Sequence, residues 1–137
     1  MSGKVSAVRP PESEKVTINL GLVDLGQVDL LVAEGFYSNR TDLIRSAIRR
    51  ELDRHAEAVR GSVARQNLDL GLRRFERAEL ERARDAGAPL RIQVLGLAVI
   101  APDVSPDLAR AAIASVRVLG ALQASPAVKA ALADRIL

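Results

Sequence analysis

Cysteine and tryptophan are absent from this sequence, and His55 is the single histidine. Without Cys there is no disulfide framework, no thiolate metal site and no Cys nucleophile. One imidazole per chain cannot supply a two-His or three-His zinc site. His55 sits in the charged run Arg50-Glu51-Leu52-Asp53-Arg54-His55, where a solvent-facing helix position is expected rather than a member of a catalytic triad. Nucleophile–base pairs, metal-ligand clusters and Gly-rich cofactor loops are missing from the pattern, so neither an enzyme nor a cofactor is expected. Aromatic residues make up only 2% of the chain, so a core must be assembled from the aliphatic part of its 48% hydrophobic residues. No apolar run approaches the ~20 residues of a membrane span, and no membrane partner is expected. Lys4 and Arg9 are not followed by an apolar stretch, so the start does not read as a signal peptide, and a cytoplasmic location is expected.

What is present is a chain of 137 residues with a formal net charge of +3, long enough for one ordinary domain or two small units. The modest basic excess is compatible with a polyanionic partner without demanding one. Residues 1–13 hold Ser2, Gly3, Ser6, Pro10, Pro11 and Ser13 and read as a flexible arm. Its Lys4 and Arg9 either touch phosphate or belong to an uncommitted tail.

Residues 14–20, Glu-Lys-Val-Thr-Ile-Asn-Leu, alternate with period two. Val16, Ile18 and Leu20 take one side of a half-buried strand, and Lys15, Thr17 and Asn19 the other. A lone strand is unstable, and helical patterns follow before any second strand, so the simplest partner is the same segment of another chain. A helix is predicted over 24–34, capped by Asp24, striped with Leu25, Val28, Leu31 and Val32, and stopped by Gly35. A second is predicted over 40–59 with Asn39 as N-cap, Asp42 in a variant capping box, and Leu43, Ile44, Ala47, Ile48 and Leu52 facing inward. Arg45, Arg49, Arg50, Asp53 and Arg54 cover its outer face.

A third helical stretch is predicted over 62–86, with Leu68, Leu72, Phe75 and Leu80 near one face, ended by Gly87 and Pro89. Residues 90–137 change character. Leu90–Ala101 is aliphatic and β-branched, Ser105-Pro106 opens a helix to about Ala114, Ser115–Leu122 reads as a strand, and Ser125-Pro126 opens a last helix through Ala133. Val94-Leu95-Gly96 returns as Val118-Leu119-Gly120, and Ser105-Pro106 returns as Ser125-Pro126. Two tandem β-α units suggest a small parallel layer or the start of a solenoid, and two units are too few to bury a face without assembly with another chain.

The succession Glu14-Lys15-Val16-Thr17-Ile18-Asn19-Leu20, then Glu34-Gly35-Phe36-Tyr37-Ser38-Asn39-Arg40-Thr41-Asp42-Leu43-Ile44-Arg45, then Ala47-Ile48 resembles the ribbon-helix-helix DNA-binding regulators of the CopG, Arc and MetJ type. Where that family usually starts its second helix with Ser-Arg-Ser-Glu, an apolar residue and Arg, this chain has Asn39-Arg40-Thr41-Asp42-Leu43-Ile44-Arg45. The resemblance implies an intertwined homodimer whose antiparallel β-ribbon enters the major groove of double-stranded DNA. Lys15, Thr17 and Asn19 would contact bases, and Asn39, Arg40 and Thr41 at the helix N-terminus would hold a phosphate.

The expected fold class is therefore α+β, mainly helical. The expected divisions are a flexible arm (1–13), a ribbon-helix-helix domain (14–60), a connecting helix (61–87) and a β-α-β-α oligomerisation region (88–137). The expected function is a sequence-specific transcriptional regulator, a repressor, that also assembles beyond the dimer. The alternative is the antitoxin of a toxin–antitoxin pair, with its C-terminal part on the toxin. A DNA-coating architectural protein is a further alternative, and sensing of a small organic effector is a rival role for the C-terminal region; nickel sensing is not expected, because the tail has no His or Cys.

Overall fold

The computed structural model describes residues 12–137, so the expected arm, with Lys4 and Arg9, lies almost wholly outside the described residues. The chain divides into two compact units, one of residues 13–62 and one built on residues 63–137.

The first unit holds helix α1 (Leu22–Ala33), helix α2 (Arg40–Arg54) and most of helix α3 (Ala56–Gln66). Helix α1 starts two residues earlier than predicted, with Gly21 at the cap and no side-chain cap hydrogen bond. Asp24 instead lies in the first turn, where its charge favours the positive end of the helix dipole. The predicted stop at Gly35 is realised with φ +85°. Gly35 N–H donates to the Val32 carbonyl and Phe36 N–H to the Leu31 carbonyl, each at 3.0 Å, the paired bonds of a Schellman motif. One long helix over 40–59 was expected, but the helix breaks at His55. His55 N–H donates to the Leu52 carbonyl three residues back at 3.1 Å, a tightened turn after which α3 begins.

The second unit is a three-stranded parallel sheet with helices in the crossovers. Its strands are β1 (Asp69–Phe75), β2 (Leu90–Ile100) and β3 (Ile113–Gln123), in the order β1-β2-β3. Helices α4 (Arg77–Asp85), α5 (Pro106–Ala112) and α6 (Pro126–Ala131) follow the strands in turn. The layout is α+β, with six helices and a parallel sheet among the described residues.

The single helix predicted over 62–86 does not form. Asn67, at φ +52°, ends α3 in a left-handed cap, with Leu68 N–H donating to the Val63 carbonyl at 3.1 Å. A strand then follows. Leu68, Leu72 and Phe75 fit a helical stripe, but Leu68, Leu70 and Leu72 equally fit period two. Pairing with β2 decides between them, because it satisfies the backbone of β1 and buries Phe75 to 3% exposure.

The two-unit repeat read between residues 94 and 137 is thus a three-unit repeat. Register places Gly71 beside Gly96 and Gly96 beside Gly120. The core joins Phe75, Leu80, Ile92, Val94, Ala98, Ile100, Leu108, Ile113, Val116, Val128 and Leu132. Ser105 and Ser125 cap α5 and α6 as expected, each Oγ accepting the N–H three residues on (Leu108, Val128) at 3.1 Å. The C-terminus returns to the sheet. Val116 N–H donates to the Arg135 carbonyl at 2.9 Å, and Leu137 N–H to the Val116 carbonyl at 2.8 Å. Arg135 also donates to the Ile113 carbonyl at 2.6 Å, and Arg110 pairs with Asp134 at 2.9 Å.

Candidate nucleic-acid interface

Residues 13–21 belong to no helix or strand within the chain. Lys15, Thr17 and Asn19 are exposed. So is the apolar set that alternates with them: Val16 is 77% exposed, Ile18 58% and Leu20 38%. Three aliphatic side chains at every second position therefore have no cover among the described residues.

The helices behind them are in the same condition. No residue from 13 to 62 is buried. Leu25, Val28 and Val32 of α1 and Leu43 and Ile44 of α2 are half-buried, while Leu30, Phe36, Ile48 and Leu52 are exposed. Folding this stretch costs roughly 1–2 kcal/mol of backbone entropy per residue, and the opposing term is burial of apolar surface. A unit whose best-covered apolar side chains are only half-buried has little of that term. The missing cover has to come from outside these fifty or so residues.

The start of α2 is built as its sequence suggests. Asn39 is extended, and its Oδ1 accepts the Asp42 N–H at 2.8 Å. Asp42 reaches back with Oδ2, which accepts the Ser38 N–H at 3.0 Å. The capping box is thus reciprocal, closed on the residue before the cap. The N–H groups of Arg40 and Thr41 lie in the first turn, where no carbonyl four residues back belongs to the helix, and they carry the positive end of its dipole. Asn39, Arg40 and Thr41 are brought together there.

The Arg40 side chain is engaged elsewhere. Its Nε donates to Asp29 Oδ1 at 2.7 Å and its Nη2 to Asp29 Oδ2 at 2.8 Å. This two-point pair ties α1 to α2 across the Gly35 turn. The hydrogen bonds and charge of Arg40 hold the Asp29 carboxyl below its ordinary range, and Asp29 raises the guanidinium in turn. Asp29 was missed at the sequence level. The pair spans eleven positions across a turn, outside the three- and four-residue spacings that reveal helix partners.

The outer face of α2 carries Arg45, Arg49 and Arg50, all exposed and, among the described residues, without an ion pair. Arg54 and His55 both turn to Glu51, at 3.0 and 3.2 Å. Residues 13–62 hold Lys15 and six Arg, seven cations, against four Asp and four Glu, eight carboxylates. The unit is therefore not a general polycation. Any attraction for a polyanion depends on where these charges stand, not on their sum.

A family model described as the Ribbon-Helix-Helix transcriptional regulator family matches residues 11–129, most of the chain and both of its units. No curated protein and no solved structure gives a significant match.

Proposed function

From the membership of this chain in the ribbon-helix-helix transcriptional regulator family, we propose that it is a sequence-specific DNA-binding repressor that acts as an intertwined homodimer. The observation that carries the reading is the uncovered alternation of residues 14–20 on a unit with no buried residue. Two such segments, paired antiparallel, satisfy each other's backbone and turn Val16, Ile18 and Leu20 onto the apolar faces of α1 and α2. Full burial of one such side chain stabilises by ~1.5–3 kcal/mol, and every one buried occurs twice in the dimer.

The same pairing turns Lys15, Thr17 and Asn19 of both chains outward on a ribbon that fits the major groove. Lys15 donates to guanine O6 and N7, Asn19 makes a two-point pair with adenine, and Thr17 meets a thymine methyl or a base edge. The α2 N-termini bracket the ribbon and take one phosphate each. The backbone N–H groups of Arg40 and Thr41 do the holding, with Asn39 fixing the turn. The Arg40 guanidinium, occupied by Asp29, positions α2 rather than neutralising phosphate. Assembly beyond the dimer through residues 88–137 belongs to the same proposal, because β3 lies at a sheet edge. The antitoxin alternative draws no support from residues 63–137, which form a packed sheet and helices instead of a charged, unstructured tail.

The test is selection of the bound sequence from random duplexes, followed by titration of Asn19→Ala and Thr17→Ala. Each lost base contact is expected to reduce discrimination by ~1–3 kcal/mol per half-site. The salt dependence should stay where it was, since no charge is removed. Equal weakening on the selected sequence and on random DNA would remove the base-reading role.

A further inference from the structure

The parallel sheet carries a glycine ladder that stops in mid-repeat at both ends. Gly71, Gly96 and Gly120 stand side by side with φ of +112°, +135° and +122°. The Gly71 carbonyl oxygen lies 2.3 Å from where a Cβ on Gly96 would be, and the Gly96 oxygen 2.0 Å from that of Gly120. Each rung thus seats its carbonyl in the space its neighbour's missing side chain leaves. The ladder has a direction, from β1 to β2 to β3. At Gly71 the corresponding space meets nothing within 4 Å, so among the described residues the first rung has a seat and no occupant.

The leucines beside the ladder are uncovered at the same two ends. Leu72, Leu97 and Ala121 form one row, and Leu70, Leu95 and Leu119 another. Leu97, flanked on both sides, is 9% exposed, while Leu72 on the outer strand is 55% exposed. Leu70 and Leu119, at opposite ends of their row, are 69% and 46% exposed. Exposed strand edges of this kind are usually guarded by charge, proline or a covering segment. The C-terminal segment covers β3 only at Val116, through its bridge to Ile136. The stretch Val118–Leu122 lies beyond that cover.

We propose that β1 of one molecule stacks in parallel on β3 of a second copy of this chain, with the Gly120 carbonyl filling the seat at Gly71. In the register of the existing ladder, Asp69–Arg73 of one copy run beside Val118–Leu122 of the next. This starts past the Val116–Ile136 bridge, so the C-terminal cover stays in place. The occupant is a second copy because the seat requires a flipped glycine carbonyl between two aliphatic residues, and Leu119-Gly120-Ala121 presents that rung facing the right way. The contact joins two different surfaces and therefore leaves a free edge at each end of the assembly, open to further addition. It rests on and deepens the assembly beyond the dimer proposed above, supplying β1 as the surface that meets the β3 edge, and it does not rest on the ribbon.

Sedimentation of the full-length protein without DNA, over a wide concentration range, tests the joint. The wild type is expected to grow in mass with concentration. Leu70→Lys and Leu119→Lys, both at exposed positions, should each give one species of constant mass. That species is two chains if the ribbon also pairs and one chain if it does not, which separates this test from that of the ribbon. Mixing the two variants should raise the mass again, because one retains the β3 end and the other the β1 end: to alternating chains of dimers if the ribbon pairs, and to a single two-chain joint if it does not. A wild type of constant mass would overturn the proposal. So would a Leu119→Lys variant that still assembles, as an antiparallel β1–β1 joint would allow, or a mixture that does not recover.

Discussion

Replacing Gly96 with alanine asks more of this fold than replacing Gly71, although both glycines occupy the same position of a repeat. Both have positive φ, and holding a non-glycine residue in such a region costs ~1–3 kcal/mol. At Gly71 nothing else among the described residues opposes the new methyl group, since no atom of theirs lies within 4 Å of it. At Gly96 the methyl carbon would stand 2.3 Å from the Gly71 oxygen, 3.0 Å from its carbonyl carbon and 3.3 Å from its Cα. All three are backbone atoms of the neighbouring strand, so no side chain can swing aside, and β1 has to separate from β2. Losing two or three ladder hydrogen bonds at ~0.5–1.5 kcal/mol each makes Gly96→Ala worse than Gly71→Ala by roughly 1–4 kcal/mol. At ~1–3 kcal/mol per molar urea, the difference corresponds to a midpoint shift on the order of 1 M. Urea denaturation followed by far-ultraviolet circular dichroism measures it, carried out in a Leu119→Lys background so that stacking of copies cannot contribute. Equal midpoints for the two variants, or a lower one for Gly71→Ala, would refute the reasoning.

The same glycines show where the sequence could be read and where it could not. The Val-Leu-Gly repeat is visible at 94–96 and 118–120 because both copies are embedded in aliphatic strands followed by Ser-Pro caps. Its first copy, Leu70-Gly71-Leu72, is followed by Arg73, Arg74 and a charged helix that opens without Ser-Pro. Locally that stretch satisfies a helical stripe as well as a strand. Only the edge of β2, distant in sequence, decides for the strand, and Asn67 gives a weak stop signal because asparagine tolerates φ > 0 without requiring it. In the first unit the caps were legible because they are local: Asn39 and Asp42 sit three apart, and Gly35 ends α1. The Asp29–Arg40 pair was not legible, since it depends on the angle at which two helices leave a turn. Period two in residues 14–20 located an apolar row. The exposure of that row and of everything behind it turns the pattern into a demand for a partner.

The cover missing from the first unit can be tested directly: in a Leu119→Lys background, which removes stacking of copies, Ile18→Asp places a charge in the proposed ribbon core, and the sedimenting mass should fall from two chains to one with helix content much reduced. Retention of the two-chain mass and helix signal of the Leu119→Lys parent would show that the segment is not at a dimer interface. Asn39→Ala removes the acceptor for the Asp42 N–H and should destabilise the first unit by ~0.5–2 kcal/mol, while Asn39→Asp keeps the acceptor and restores most of it; thermal melts of the three proteins compare them. The Asp29–Arg40 pair predicts a pH signature whose sign follows from the direction of the shift. Asp29 titrates below its ordinary value of 3.8 in the folded chain because Arg40 binds its charged form. The stabilisation is therefore complete above that value and disappears as pH falls through the lower folded one. Both side chains are about half exposed, so solvent and salt keep the effect small. Wild type should be slightly more stable than Asp29→Asn at neutral pH, by an amount that stays level down to about pH 4 and closes at lower pH. Added salt at neutral pH should narrow the same gap. A difference that survives full protonation would mean that the substitution acts through packing or the amide's own hydrogen bonds, and that the ion pair does not hold α1 against α2.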